Sequence, residues 1–111
     1  MKAPTKEDLD KILKENSTLG KFGFNNGIED EINFLDFDFS VGYMYHNFIR
    51  KNKYSNNSLN SYSIKHIVEN CYKDGYIPNG AVIAAGIYLK IPYKKDGCNA
   101  IFRLEDPTCQ D

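Results

Sequence analysis

The sequence has no apolar run long enough to cross a bilayer. Its apolar run from Ala81 to Leu89 is nine residues, half of the roughly 18 that a spanning helix requires. Near the amino end, residues 4–10 are polar and offer no signal-peptide core. The three cysteines, Cys71, Cys98 and Cys109, are odd in number and lack framework spacing. That excludes a disulfide-stapled scaffold and gives a cytoplasmic expectation, in a host bacterial cell, with reduced thiols. A GxSxG elbow, a GxxxxGK[ST] phosphate loop and CxxC or HxxxH zinc spacing are all missing. Neither an enzyme nor a cofactor- or metal-binding protein is expected. No repeat is visible, and arginine occurs only as Arg50 and Arg103.

What is present fits one domain over 1–111. At 41% hydrophobic and 26% charged residues, the chain can bury a real core. Its net charge of −1 hides an asymmetry: residues 1–40 carry five lysines against nine acids, and residues 41–111 nine cations against six acids. The cations are scattered along the sequence through helix, loop and hairpin, so direct nucleic-acid binding is not expected.

The pattern predicts a small α+β fold of three or four helices, a C-terminal β-hairpin and a possible short N-terminal β unit. Thr5 and Asp8 form a capping-box pair before Leu9, Ile12 and Leu13 at helical spacing. Residues 20–40, which end the acidic N-terminal segment (residues 1–40), read in two ways. Phe37 and Phe39 alternate with Asp36 and Asp38 as in a half-exposed strand, or the stretch is a loop leading to a helix cap at Ser40. A helix from there would bury Val41, Tyr45, Phe48 and Ile49 and end in Arg50, Lys51 and Lys53; residues 41–45 also alternate as a strand would. Residues 53–61 are polar and turn-rich, the expected mobile loop.

Residues 61–104 read as a helix–turn–helix–hairpin core. Ile64, Ile67, Val68, Cys71 and Tyr72 repeat with helical period, Gly75 suits a left-handed exit, and Asn79 suits an N-cap. Asp96-Gly97 suits a type I′ hairpin turn. The outline resembles a winged helix-turn-helix, but a reading helix must offer polar side chains to base edges. Ala81, Val82, Ile83, Ala84 and Ala85 do not, and a helix apolar all round is core.

Among chemistry-bearing residues, His66 lies on a polar face beside Lys65, His46 among aromatics, Cys71 on a buried face, and Cys98 at the hairpin. The distinctive surface feature is the acidic set Glu29, Asp30, Glu31, Asp36 and Asp38. Read as function, it meets a basic partner, with Phe34, Phe37 and Phe39 adjoining; read plainly, it is a solvated loop.

The stretches "SYSIKHIVEN", "YIPNGAVIAAGIYLKIPYK" and "CNAIFRL" resemble a group of small proteins carried by plasmids, integrative elements and phages. Ser61, Tyr62, Lys65, His66, Glu69, Tyr76, Asn79, Gly80, Ala81, Ile83, Ala84, Ala85, Asn99 and Ala100 carry the likeness. Gly86 stands where Ala is usual and Cys98 where Pro is usual. The resemblance implies a mobile-element setting and, by analogy, an anti-CRISPR-like inhibitor of host defence. Its expected partner is a host defence protein or ribonucleoprotein complex presenting a basic surface. The alternative is a nucleic-acid-binding regulator using Arg50, Lys51, Lys53, Lys65 and Lys73.

Overall fold

The computed structural model describes residues 1–73 and 75–107. It is an α+β fold of four helices and three antiparallel strand pairs. α1 (Lys6–Glu15) starts as the sequence dictates: Thr5 Oγ1 accepts from the Asp8 N–H at 3.2 Å, and Asp8 Oδ2 accepts from the Thr5 N–H at 2.8 Å. Leu9 and Ile12 face inward. β1 (Leu19–Gly20) and β2 (Gly23–Phe24) then form the short N-terminal β unit.

The middle of the chain departs from both sequence readings. α2 spans Phe34–Asn47 and absorbs the Phe/Asp alternation. Its cap is Asn33, whose Oδ1 accepts from the Leu35 N–H at 2.8 Å, not Ser40. Ser40 is fully buried and satisfies its hydroxyl on the Asp36 carbonyl at 2.7 Å. Phe37, Ser40, Val41 and Met44 make the buried face, which turns Tyr45 to solvent. The helix stops at Asn47. β3 (Ile49–Arg50) pairs with β6 (Leu104–Glu105), so Arg50, Lys51 and Lys53 do not close a helix.

α3 (Ser61–Glu69) is capped by Asn60, whose Oδ1 accepts from the Ser63 N–H at 2.8 Å. It ends before Cys71, which is therefore exposed rather than on the buried face. Residues 53–59 form neither helix nor strand, but Leu59 is tied on both sides. Its N–H donates to the Leu104 carbonyl and its carbonyl accepts from the Phe102 N–H, each at 2.9 Å.

α4 (Asn79–Tyr88) is the centre. Every residue from 79 to 86 is buried, and Ala81 to Ala85 have no exposed surface at all. α1, α2, α3, β2 and β5 (Asn99–Phe102) all pack against it. Val82 and Ile83 each contribute about 1.5–3 kcal/mol by burial. The cap lies one residue earlier than expected: the helix begins at Asn79 itself, and Pro78 is the N-cap and has no side-chain hydrogen bond to give. The capping group comes from elsewhere, the Lys21 carbonyl, which accepts from the Gly80 N–H at 2.8 Å.

The C-terminus of α4 is a Schellman turn, with Ile91 N–H on the Gly86 carbonyl at 3.1 Å and Lys90 N–H on the Ile87 carbonyl at 2.9 Å. Lys90 takes the left-handed position, at φ +59°. β4 (Tyr93–Asp96) and β5 close the expected hairpin. Its central residues are Gly97 and Cys98, and only Gly97 has positive φ, at +60°. That is the sense of a II′ turn rather than I′. No helix among the described residues is long and apolar enough to cross a membrane.

Candidate binding surface

The residues behind the resemblance converge on the junction of α3, α4 and the hairpin, and most of their polar groups face one another. Ser61 Oγ, buried, accepts from the Ala100 N–H at 3.0 Å. Asn79 donates from Nδ2 to Asn99 Oδ1 at 2.9 Å and to the Phe22 carbonyl at 3.4 Å, leaving its own Oδ1 buried without a partner. The Phe24 N–H donates to the Cys98 carbonyl at 2.9 Å, joining the β1–β2 unit to the hairpin.

Glu69 is the ionic half of this junction. Its Oε1 accepts from the Lys65 ammonium and from the Ile77 N–H at 3.2 Å, and Oε2 lies 3.4 Å from His66 Nδ1. Burial pushes the Glu69 pKa up. The Lys65 hydrogen bond, the Ile77 amide and the charges of Lys65 and His66 outweigh it and hold the carboxyl below its ordinary range. Lys65 also sits 4.9 Å over the Tyr76 ring. These groups hold α3 against the start of α4, so they act as fold ties, and Lys65 is occupied within them.

The other candidates for chemistry stay apart. His46 is exposed on α2, edge-on to Tyr45, and His66 is exposed and edge-on to Tyr62. Cys71 Sγ is 3.8 Å from Tyr43 Oη, whose own pKa is pushed up by burial first and then by Cys71 and Asp106. Cys98 is half-buried at the hairpin turn, and Cys109 lies outside the described residues. Among the described residues no three His, Cys, Asp or Glu side chains group as a metal site would require.

The acidic set divides. Glu29, Asp30 and Glu31 are consecutive and exposed, following a turn in which the Asp30 N–H donates to the Gly27 carbonyl at 3.0 Å. Asp36 and Asp38 are half-buried on α2, and two positions on a helix differ by about 200°. A strand would put them on one face; the helix puts them on opposite sides. Asp38 lines a groove with Phe39, Tyr43 and His46 instead. Asp36 belongs to the first turn of α2, where a carboxylate complements the helix dipole.

Two apolar residues that sequence reasoning missed flank the acidic triplet. Ile28 is 54% exposed and Leu35 62% exposed. A signal for Leu35 exists: once Phe37, Val41 and Met44 define the buried face of α2, it falls outside that face. Leu35 shares a cleft of about 400 Å³ with Glu31, Asn33, Phe34, Lys6 and Lys21. Phe37 is core, and Phe34 and Phe39 pack against it.

The basic set of the regulator reading is also dispersed. Arg50 donates to the Leu89 carbonyl, Lys51 is 4.0 Å from Glu105, and Lys65 is bound to Glu69. α4, the position of a reading helix, is enclosed by the rest of the fold. Comparison of the chain with protein-family models, with curated proteins and with solved structures gives no match in any of the three.

Proposed function

We propose that this protein is a binding protein that acts by occlusion, docking the surface of residues 28–35 onto a basic face of its partner. One observation carries the reading. Two exposed aliphatic side chains, Ile28 and Leu35, bracket three exposed consecutive carboxylates. Exposed apolar anchors beside charged groups are components of a protein interface. The acids steer association, and the aliphatic residues supply desolvation once contact is made. The resemblance to mobile-element proteins supplies the partner class, a bacterial host-defence complex with an exposed basic groove.

The test is transformation of a CRISPR-targeted plasmid into a host expressing either the wild-type chain or the Glu29→Lys/Asp30→Lys/Glu31→Lys variant. These side chains are exposed, so the melting temperature is expected to change by a few degrees at most, exposed charges contributing about 0–1 kcal/mol. The charge at the surface changes by six, and restored transformation is expected to be lost. Failure of the wild-type chain to restore transformation would remove the host-defence target. Undiminished restoration by the variant would remove this surface.

A further inference from the structure

Cations that the sequence scatters through a loop and a hairpin are gathered by the fold around one ring. The Tyr54 ring has Lys94 Nζ 4.6 Å from its centroid and the Arg103 guanidinium carbon 5.9 Å from it. Arg103 follows β5 directly. Its N–H donates to the Pro92 carbonyl at 3.0 Å, its carbonyl accepts from the Lys51 N–H at 2.9 Å, and its Nη1 donates to the Asn52 carbonyl at 2.7 Å. The guanidinium is thus fixed to the loop that carries Lys53 and Tyr54. Its Nε has no hydrogen-bond partner.

Among the described residues, Lys53, Lys94 and Arg103 have no carboxylate partner within ion-pair distance. Only Lys51, at 4.0 Å from Glu105, is partly compensated, and Glu105 is also held by the Ser55 hydroxyl at 2.7 Å. A π-face differs from a carboxylate here: it orients cations without cancelling their charge. Tyr54 holds two positive charges on the order of one Debye length apart, ~8–10 Å, or closer. An anion placed beside the ring is attracted by both.

We infer that this face, built from Lys53, Tyr54, Lys94 and Arg103, binds the phosphodiester backbone of a nucleic acid without reading its sequence. The face is open: Lys53 and Lys94 are exposed, and Tyr54 and Arg103 half-buried. An extended polyanion suits it better than an enclosed small ligand. The one guanidinium in the set, the group that would pair with a guanine edge, is tied to the Asn52 carbonyl and lies over the Tyr54 ring, so no free planar fork is left to read a base. The surface shares no residue with the acidic one, so it stands or falls separately from the occlusion reading.

The experiment is fluorescence anisotropy of the whole chain with a labelled 20-nucleotide mixed-sequence single strand, and separately with its duplex. Three phosphate contacts predict a log–log salt slope of about −2 to −2.7, or about 15- to 40-fold weaker binding at 200 mM than at 50 mM salt. Whichever of strand and duplex binds tighter identifies the backbone form preferred, and either result supports the assignment.

Lys53→Glu/Lys94→Glu is expected to weaken binding at least tenfold at an unchanged melting temperature. Lys11→Glu/Lys14→Glu, the same charge change on exposed positions of α1, is expected to weaken it less than threefold. Tyr54→Leu keeps every charge and is expected to lose about threefold through loss of orientation. The inference is overturned by absence of binding at 20 mM salt, by equal losses in the two double variants, or by polyglutamate competing as well as the oligonucleotide. The last result would assign the face to an acidic protein.

Discussion

Three glycines lie in helices, and the structure gives each a different reason to be there, which makes Gly→Ala at Gly80 a sharp test of the packing around α4. On propensity alone alanine gains up to about 1 kcal/mol in a helix. At Gly80 an added Cβ would stand 2.0 Å from the Gly20 carbonyl oxygen and 2.7 Å from that of Lys21, where a carbon–oxygen contact needs about 3.3 Å. Both obstacles are backbone, so no rotamer change relieves them. Either the β1 end retreats by about an ångström or the start of α4 does. The first breaks the Gly80–Lys21 hydrogen bond; the second strains the Asn79–Asn99 contact. Overpacking costs about 1–3 kcal/mol and an unpaired buried amide about 1–3 kcal/mol more. After the propensity gain, a net loss of about 1–5 kcal/mol is expected.

Gly86→Ala meets only the Phe102 ring, at 2.2 Å, but that ring is fully buried. Its expected loss is smaller, about 0–2 kcal/mol, and Phe102→Leu in the same chain should relieve it. Gly42→Ala meets nothing within 4 Å and should stabilise by about 0.5–1 kcal/mol. Urea unfolding followed by circular dichroism reads all three. Gly80→Ala as stable as the wild type would refute the close approach of β1 to α4, and Gly42→Ala ranking worst would refute the packing as a whole.

Two further perturbations probe single groups. Lys90→Gly should raise stability by about 0.5–1 kcal/mol, a few degrees in melting temperature, by relieving a left-handed lysine at the Schellman turn; a lower melting temperature would show that the lysine side chain matters there. Glu69 has a folded pKa below its unfolded one, so its contribution is present above the unfolded value and lost as pH falls through the folded one. Glu69→Gln should therefore cost about 1–3 kcal/mol at neutral pH, with the gap to wild type closing as pH falls below the ordinary glutamate range. Parallel stability curves over that range would refute the role of the charge.

What can be read from the sequence follows how local the deciding interaction is. The α1 capping box, the α3 periodicity and the hairpin glycine are set within a few residues, and each element is present, although the hairpin turn falls one residue later than Asp96-Gly97 and α3 ends before Cys71. α2 is hard to read because it buries a wide arc. Phe37 faces the core and Phe39 packs on Tyr72 with ring centroids 4.7 Å apart, so two phenylalanines two apart mimic a strand. Cys71 continues the apolar period of α3 beyond the point where the helix ends, and the pattern alone does not show that end. The cap of α4 is illegible for a different reason: it is the carbonyl of Lys21, brought there by the fold. In the acidic surface, the exposure of Glu29, Asp30 and Glu31 is legible from the preceding turn. Their grouping with Asp36 and Asp38 depends on a strand, and that stretch is a helix.

The same distinction separates what the resemblance can carry from what it cannot. Ser61, Lys65, Glu69, Asn79 and Asn99 spend polar groups on one another or on backbone at the junction, and Gly80 is there because backbone lies against it. Those residues build the scaffold and say nothing about a target. Partner recognition has to come from side chains the scaffold does not consume. Two such sets stand out with opposite charge: Ile28, Glu29, Asp30, Glu31 and Leu35 on one hand, Lys53 and Lys94 on the other. A ribonucleoprotein presents both complements, basic protein and phosphate backbone. A body that engages both makes its second contact intramolecular, so two individually weak contacts multiply rather than add. If both proposals hold, such a complex would meet two surfaces of one chain whose net charge is only −1.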